Sequence, residues 1–172
     1  MPPHLLRPGE LRGAEWWKLD LKGGEWRILG GRMKMRDAHI VPLASQAIAI
    51  LTELHALTGR GTLLFPSLCS RDRPMSENTL NAALHRLGYS TEQMTAHGFR
   101  AMASKLLNEQ SWHPDLIELQ LAHPERNKVR AACNSATRLP ERCKMMQAWA
   151  NYLDALRTGS NVVPLRRPAT GN

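Results

Sequence analysis

Apolar residues along the chain follow two different spacings, and the change falls near residue 45. In the first part, Glu25-Trp26-Arg27-Ile28-Leu29 alternates polar and apolar side chains, which predicts a strand. His39-Ile40-Val41-Pro42-Leu43 predicts a second strand that ends at its proline. Gly30-Gly31 interrupts the first strand, and the basic segment 32–37 suits the connection of a hairpin. Two antiparallel strands are therefore predicted near the N-terminal side.

Helical spacing dominates the chain from Ser45 onward, and one short helix is also predicted before the strands. A short helix is predicted to start at Arg7-Pro8-Gly9-Glu10-Leu11, with the proline in its first turn. With Ser45 as the predicted N-cap, apolar residues recur every three or four positions as far as Gly59, where the helix should end. Further helices are predicted at residues 76–87, 95–108, 114–121, 125–132 and 140–156. These elements predict an α+β fold, mostly helical, with a small antiparallel sheet near its N-terminal side.

The composition is that of one folded domain. Of the 172 residues, 42% are hydrophobic, which argues against a disordered chain, and this length allows one domain or two very small ones. We expect the domain to cover residues 1–157 and a basic tail to follow at 158–172. No apolar run approaches a membrane span, and Met1-Pro2-Pro3-His4 does not begin a signal peptide. These features predict a cytoplasmic protein.

The charge of the chain favours a polyanionic partner. Lys and Arg number 23 against 15 Asp and Glu, which gives a net charge of +8. Arg outnumbers Lys by 17 to 6, and the planar guanidinium group binds phosphate through two parallel hydrogen bonds. A solvated basic surface would have the same composition, so the charge favours nucleic acid without establishing it.

One short motif combines an imidazole with a guanidinium group. In His97-Gly98-Phe99-Arg100 the two side chains are three residues apart and share a helix face. The same spacing recurs at His4 with Arg7 and at His123 with Arg126, so spacing alone does not select a site. A helix-start His beside a surface Arg is the alternative interpretation of His97 and Arg100.

The order of several motifs along the chain distinguishes these possibilities. Arg7-Pro8-Gly9-Glu10-Leu11-Arg12 comes first, followed by His39-Ile40-Val41-Pro42-Leu43, Phe65-Pro66-Ser67 and Met94-Thr95-Ala96-His97-Gly98-Phe99-Arg100. In wording and order, these stretches resemble the catalytic domain of tyrosine recombinases, most closely that of the P4-like phage integrases. The resemblance covers residues 6 to about 165, nearly the whole chain.

The resemblance implies a reaction on DNA. A Tyr hydroxyl attacks the scissile phosphate to give a 3′-phosphotyrosyl link and a free 5′-hydroxyl, and rejoining reverses this step. The covalent link retains the energy of the phosphodiester, so the resemblance implies no metal and no cofactor. The implied partner is double-stranded DNA, on which the protein would pair with copies of itself or with a full-length integrase. A bacterial protein of this kind would be associated with the nucleoid when bound to DNA.

The resemblance also assigns roles to individual residues. Arg7 and Arg100 would hold the phosphate, and Glu10 would support Arg7 or a neighbouring His. His97 would act in proton transfer, and His123 would donate a hydrogen bond to the phosphate.

Lys34 would protonate the leaving 5′-oxygen as general acid. Arg32 and Arg36 are poorer candidates for this role because a guanidinium group hardly gives up a proton. A solvated turn residue is the alternative interpretation of Lys34.

The expected nucleophile is missing from the sequence. Cys133 stands where the resembling integrases have their catalytic Tyr. A thiol ionises more readily than a phenol, but its side chain is shorter and sulfur is a poor nucleophile toward phosphodiester phosphorus. Tyr152 lies on an apolar helix face that predicts core packing, and Tyr89 precedes the His97 motif, which is the wrong order for the family. Strand cleavage is therefore expected to be weak or absent.

Two further classes of function stay open at this point. A non-catalytic DNA-binding or interaction module could occupy recombination sites or pair with a full-length integrase. A metal or thiol enzyme using His97, His123 and Cys133 is disfavoured, because no carboxylate or second Cys stands at ligand spacing. With Cys69 and Cys143, the cysteines are odd in number and predict no disulfide framework.

Other segments complete the expectations. Arg7 comes almost at the start, so the arm-binding and core-binding domains of the family are expected to be absent. Trp16, Trp17 and Trp26 are expected to pack around the sheet. The last helix and the tail, residues 147–165, resemble the family segment that docks on a neighbouring protomer.

Overall fold

The computed structural model describes residues 5–28, 39–121 and 138–159. Within these ranges, the chain forms six α-helices, a short 3₁₀ helix (Trp16–Lys18), a three-stranded sheet and a two-stranded sheet. The helices are α1 (Pro8–Arg12), α2 (Ser45–Thr58), α3 (Thr79–Arg86), α4 (Gly98–Glu109), α5 (Pro114–Gln120) and α6 (Leu139–Arg157). The strands are β1 (Leu19–Asp20), β2 (Glu25–Ile28), β3 (His39–Pro42), β4 (Pro66–Ser67) and β5 (Ser70–Pro74). The predicted helix at 125–132 and most of the predicted tail lie outside the described residues.

The three-stranded sheet is antiparallel, with strand order β1-β2-β3. Trp26 pairs with Leu19 on one side and with Val41 on the other. Trp26 and Val41 are almost completely buried, so the face that carries them forms one wall of the core. The two predicted strands and the small antiparallel sheet are therefore confirmed. Strand β1 was not predicted, because two residues are too short to show an alternation.

Two hydrophobic clusters form the core. The first packs the sheet and α1 against α2, with Leu11, Trp26, Val41, Leu51 and Leu64 among its buried members. The second joins α4, α5 and α6 and includes Leu107, Ile117, Met145, Met146 and Trp149. The neighbouring residues Leu5 and Leu6 are both buried, but Leu5 belongs to the helical cluster and Leu6 to the sheet cluster. The segment that leads into Arg7 is thus held by both clusters.

Polar contacts join α2 to the last helix. The Ser45 backbone amide donates a hydrogen bond to Gln147 Oε1 at 3.0 Å. The Gln46 side chain donates from Nε2 to Asn151 Oδ1 at 2.9 Å. The prediction that Ser45 is the N-cap is wrong, because the helix begins at Ser45 itself and Ala44 is the capping residue. A side chain of α6 therefore satisfies one of the first amides of α2, which have no partner within the helix.

The other helix boundaries agree with the sequence to within a few residues. Helix α3 begins at Thr79 rather than at residue 76, and the hydroxyl groups of Ser76 and Thr79 are hydrogen-bonded at 2.9 Å in the preceding turn. Gly88 follows this helix with a positive φ of 91°, a conformation that favours glycine and stops the helix. The hairpin of β4 and β5 was not predicted, since Ser-Arg-Asp-Arg-Pro in β5 has no apolar alternation.

The three N-terminal tryptophans have different environments. Trp26 is buried in the sheet cluster, and the ring of Trp16 lies edge-on to His55 with the ring centroids 4.7 Å apart. Trp17 is 65% exposed, with Lys18 Nζ at 5.1 Å from its ring centroid. The expected packing is therefore correct for Trp16 and Trp26 and wrong for Trp17, because the latter points away from the core.

Helix α6 is the longest helix in the described ranges, at 19 residues. Neither this helix nor any other in those ranges is both long and apolar enough to cross a membrane.

The two extremes of tryptophan exposure allow a matched test of the core. Trp26→Ala should lower the free energy of unfolding by about 3–5 kcal/mol, because it leaves a cavity between β2 and the sheet cluster. Trp17→Ala removes the same atoms from an exposed site and should change it by no more than about 0.5 kcal/mol. Urea denaturation followed by circular dichroism measures both values. Equal losses in the two variants would contradict the assigned core.

Candidate active site

Arg7 and Glu10 form one unit at the start of α1. The Arg7 amide donates to Glu10 Oε2 at 2.9 Å, and Arg7 Nη1 lies 3.5 Å from Glu10 Oε1. The Arg7 carbonyl accepts the first helical hydrogen bond from Leu11 at 3.0 Å. The Arg7 side chain is 48% exposed, so the carboxylate orients a guanidinium group that solvent can reach. This geometry agrees with the supporting role expected of Glu10.

Arg100 projects inward from the first turn of α4. Its Nη1 donates to the Leu5 carbonyl at 2.5 Å, and its Nη2 donates to the Leu121 carbonyl at 2.6 Å. The residue is only 7% exposed, so the alternative of a surface Arg is wrong. The side chain ties the segment before Arg7 to the end of α5. A guanidinium group has five N–H donors, so its fork can hold these carbonyls and still offer a donor to an anion.

The hydrogen bond from Arg100 Nη1 to the Leu5 carbonyl holds Arg100 against the segment that leads into Arg7, two residues further on. Burial lowers the pKa of Arg100, the charge of Arg7 lowers it further, and Glu10 acts in the opposite direction. Two guanidinium groups from α1 and α4 thus lie close together with one carboxylate beside them. Like charges at short range repel, and a bound anion would relieve that repulsion. The arrangement can therefore hold a phosphate group.

His39 is a member of this site that the sequence did not predict as one. Its ring hydrogen-bonds to the backbone of Gln120, and its Nε2 is buried without a hydrogen-bond partner among the described residues. Burial, then the charges of Arg142, Arg100 and Arg7, lower the pKa of His39 to about 4, although the bond to Gln120 opposes the shift. The imidazole is therefore neutral at neutral pH.

A sequence signal for His39 existed in the strand pattern. Side chains two positions apart share one face of a strand, and the apolar Val41 marks the inner face of β3. The same alternation that predicted the strand therefore places His39 on the core side. It was treated only as part of the strand motif.

His97 contacts Arg100 through the backbone, and no hydrogen bond joins their side chains in the described residues. His97 is the N-cap of α4, and its carbonyl accepts a hydrogen bond from the Arg100 amide at 3.0 Å. Its side chain is exposed and makes no hydrogen bond or ion pair within the described ranges.

The other predicted site residues, Lys34, His123 and Cys133, lie outside the described residues. The described residues nearest to His123 in sequence are Gln120 and Leu121, which contact His39 and Arg100 respectively.

Neither tyrosine contacts this site. Tyr152 stacks on Trp149 with the ring centroids 5.7 Å apart, at the edge of the helical cluster. The expected packing of Tyr152 is thus confirmed. Tyr89 follows Gly88 and is 50% exposed.

An apolar cavity of about 310 Å³ lies beside Arg100, between α1, α3, α4 and α6. Its other lining residues include Leu5, Leu84, Phe99 and Leu153. An apolar wall cannot satisfy the hydrogen-bonding needs of a phosphate group. This cavity is therefore not suited to an anion, unlike the exposed Arg7 side chain.

The model of the phage integrase family matches residues 1–137, so the chain belongs to that family. It is 44% identical over 168 residues to the integrase of Enterobacteria phage P4, covering 89% of this chain and 38% of that protein. It is 42% identical over 159 residues to the prophage integrase IntA of Escherichia coli (strain K12), covering 92% and 38% respectively.

Solved structures show the same fold. An integrase from mycobacterium phage Brujita superposes with a TM-score of 0.64 at 18% identity, covering 98% of this chain and 51% of that one. The XerA recombinase superposes with a TM-score of 0.60 at 19% identity, covering 80% and 52%. The predicted recombinase fold is therefore confirmed. The chain spans less than half the length of the P4 and IntA integrases.

The neutral state of His39 has a measurable effect on stability. Between about pH 4 and pH 6.5, the unfolded chain binds a proton at this imidazole and the folded chain does not. The free energy of unfolding should therefore rise with pH across this window, and His39→Gln should flatten the rise. Denaturant melts at several pH values measure this slope.

His85→Gln, at an exposed position on α3, is the matched control for His39→Gln. The rise with pH should remain in this variant. A stability difference between wild type and His39→Gln that did not vary with pH would contradict the neutral assignment.

Proposed function

We propose that this chain is the DNA-binding catalytic domain of a P4-like phage integrase and holds the scissile phosphate between Arg7 and Arg100. The observation that carries the proposal is that Arg100 is hydrogen-bonded to the Leu5 carbonyl, two residues before Arg7, while Arg7 is paired with Glu10. Arg100 is buried and held by backbone carbonyls, while the Arg7 side chain is half exposed. A fixed donor and an accessible donor together suit a duplex phosphate that approaches from solvent.

The reaction proposed for the family site is an exchange of phosphate esters. The attacking nucleophile forms a bond to phosphorus, the bond to the 5′-oxygen breaks, and the leaving oxygen takes a proton. Arg7 and Arg100 would stabilise the charge on the non-bridging oxygens. Lys34 would supply the proton to the 5′-oxygen. His97 would act in proton transfer, and His123 would donate a hydrogen bond to the phosphate. Positioning and charge stabilisation then account for catalysis without a metal or a cofactor.

The nucleophile is the weak point of this site. By the resemblance given under Sequence analysis, Cys133 would stand at the position where the family has its Tyr. Its thiol is several ångströms shorter than a phenol, and attack geometry tolerates little misplacement. We propose that the chain binds DNA phosphate and cleaves strands weakly or not at all.

The same sequence observation favours a second candidate, a non-catalytic DNA-binding module. In this role the chain would occupy recombination sites, alone or paired with a full-length integrase, and would be associated with the nucleoid. Alanine at Lys34 would then change neither DNA affinity nor any covalent product. The two candidates share the phosphate site and differ only in strand cleavage.

Introduction of a Tyr at position 133 separates the two candidates. Cys133→Tyr should raise the yield of covalent protein–DNA complex at least about tenfold, because it restores a hydroxyl where the family has one. The measurement uses a pool of nicked duplexes with randomised sequence around the nick, followed by denaturing electrophoresis.

Cys69→Tyr, at an exposed cysteine, is the matched control and should give no gain. Addition of Lys34→Ala to the Cys133→Tyr chain should remove the gain. Robust covalent product from the unaltered chain would contradict the proposed impairment, and no gain in Cys133→Tyr would favour the binding module.

The phosphate contact itself can be tested by salt dependence. Arg7→Gln should weaken duplex binding about three- to tenfold and reduce the slope of log Kd against log salt by about 1, since one phosphate contact is lost. Fluorescence anisotropy at several salt concentrations gives both values. Arg157→Gln, at a 79% exposed position on α6, should leave the slope unchanged. An Arg7→Gln slope equal to the wild-type slope would exclude Arg7 from phosphate binding.

A further inference from the structure

A buried polar cluster joins the end of α5, strand β3 and the last helix. Arg142 of α6 is fully buried, and its Nε and Nη2 donate to Gln120 Oε1 at 3.1 and 2.9 Å. Its Nη2 also donates to the Ile40 carbonyl of β3 at 2.6 Å. Gln120 is 1% exposed. One guanidinium group thus holds the last turn of α5 against strand β3.

No carboxylate pairs with Arg142 in the part of the chain that the structure describes. Its Nη1 and the side-chain nitrogen of Gln120 are buried there without hydrogen-bond partners. An apolar side chain of similar volume often stabilises a core at least as well as a buried charge does. Core packing alone therefore does not explain a guanidinium group at this position.

The contacts of Arg142 continue directly to Arg100. The His39 ring hydrogen-bonds to the backbone of Gln120, so β3 and the end of α5 are joined at two points. The next residue, Leu121, offers its carbonyl to Arg100 Nη2. A shift at the end of α5 would move that carbonyl, and the guanidinium group of Arg100 with it.

We propose that Arg142 is a positioning residue for the phosphate site, because it fixes the end of α5 against β3 and thereby fixes the orientation of Arg100. This inference rests on the proposed phosphate-binding role of Arg7 and Arg100. It gives the last helix a part in the site, although Arg142 does not itself touch the phosphate. Both its fork geometry and its charge contribute to the site, and only the fork geometry can bridge Gln120 and Ile40.

Lysine at this position separates geometry from charge. Arg142→Lys keeps the positive charge, but a single ammonium group on a shorter reach cannot donate to Gln120 and Ile40 as the fork does. Gln120→Leu keeps Arg142 and removes its acceptor, and Arg157→Lys makes the same chemical change at an exposed site on α6. The experiment titrates each full chain with inorganic phosphate and follows the Nε–H signals of the arginines by NMR.

In the wild-type chain, phosphate should shift the Arg100 Nε–H signal to saturation. Arg142→Lys and Gln120→Leu should weaken phosphate binding at least about fivefold and should displace the Arg100 signal even without phosphate. Arg157→Lys should match wild type within about twofold. Thermal melts confirm that each variant is folded, and Gln120→Leu decides the outcome if Arg142→Lys does not fold.

Two different failures can be told apart. Variants that fold, retain the wild-type Arg100 signal and bind phosphate as wild type does would overturn the positioning role of Arg142. A wild-type Arg100 signal that does not respond to phosphate would overturn the proposed phosphate site instead. In that case, the Arg100 signal of the phosphate-free variants still decides whether Arg142 positions Arg100.

Discussion

The rest of the site depends on the two hydrogen bonds that Arg100 donates to backbone carbonyls. One carbonyl belongs to Leu5, whose neighbour Leu6 packs in the other core cluster, and the second belongs to Leu121 at the end of α5. Each would cost about 1–3 kcal/mol if it stayed buried without a donor. The guanidinium group therefore joins the chain before Arg7 to the helical cluster. This single side chain sets where α1 begins relative to α4.

The concentration of positive charge explains why this site suits an anion at neutral pH. Arg7, Arg100 and Arg142 all act on His39, and burial together with these charges keeps its imidazole neutral. Protonated His39 would add a fourth positive charge to a region in which Glu10 is the carboxylate that pairs with Arg7. The net charge of these groups is therefore positive. A phosphate diester, with its single negative charge, would reduce this excess.

Short-range patterns predicted most of the fold and the main components of the site. Alternation identified β2 and β3, and helical spacing identified all six described helices to within a few residues. Motif order selected Arg7, Glu10 and Arg100, which the structure brings together. The sequence could not reveal the Arg142–Gln120 contact, because it joins residues 22 apart in the chain that share no local pattern. Trp17 was misjudged because composition does not indicate which of two adjacent rings faces the core.

The proposed binding of phosphate and the chemical step depend on different residues. Arg100 serves the fold and the site at once, so its loss would leave two buried carbonyls without their donor. A nucleophilic hydroxyl contributes to the reaction but is not needed to hold α1, α4 and α5 together. Cys at position 133 is therefore compatible with a folded domain that has the proposed phosphate-binding role. Since the fold depends on Arg100 and not on the attacking group, loss of the attacking group need not disturb the arrangement around Arg100.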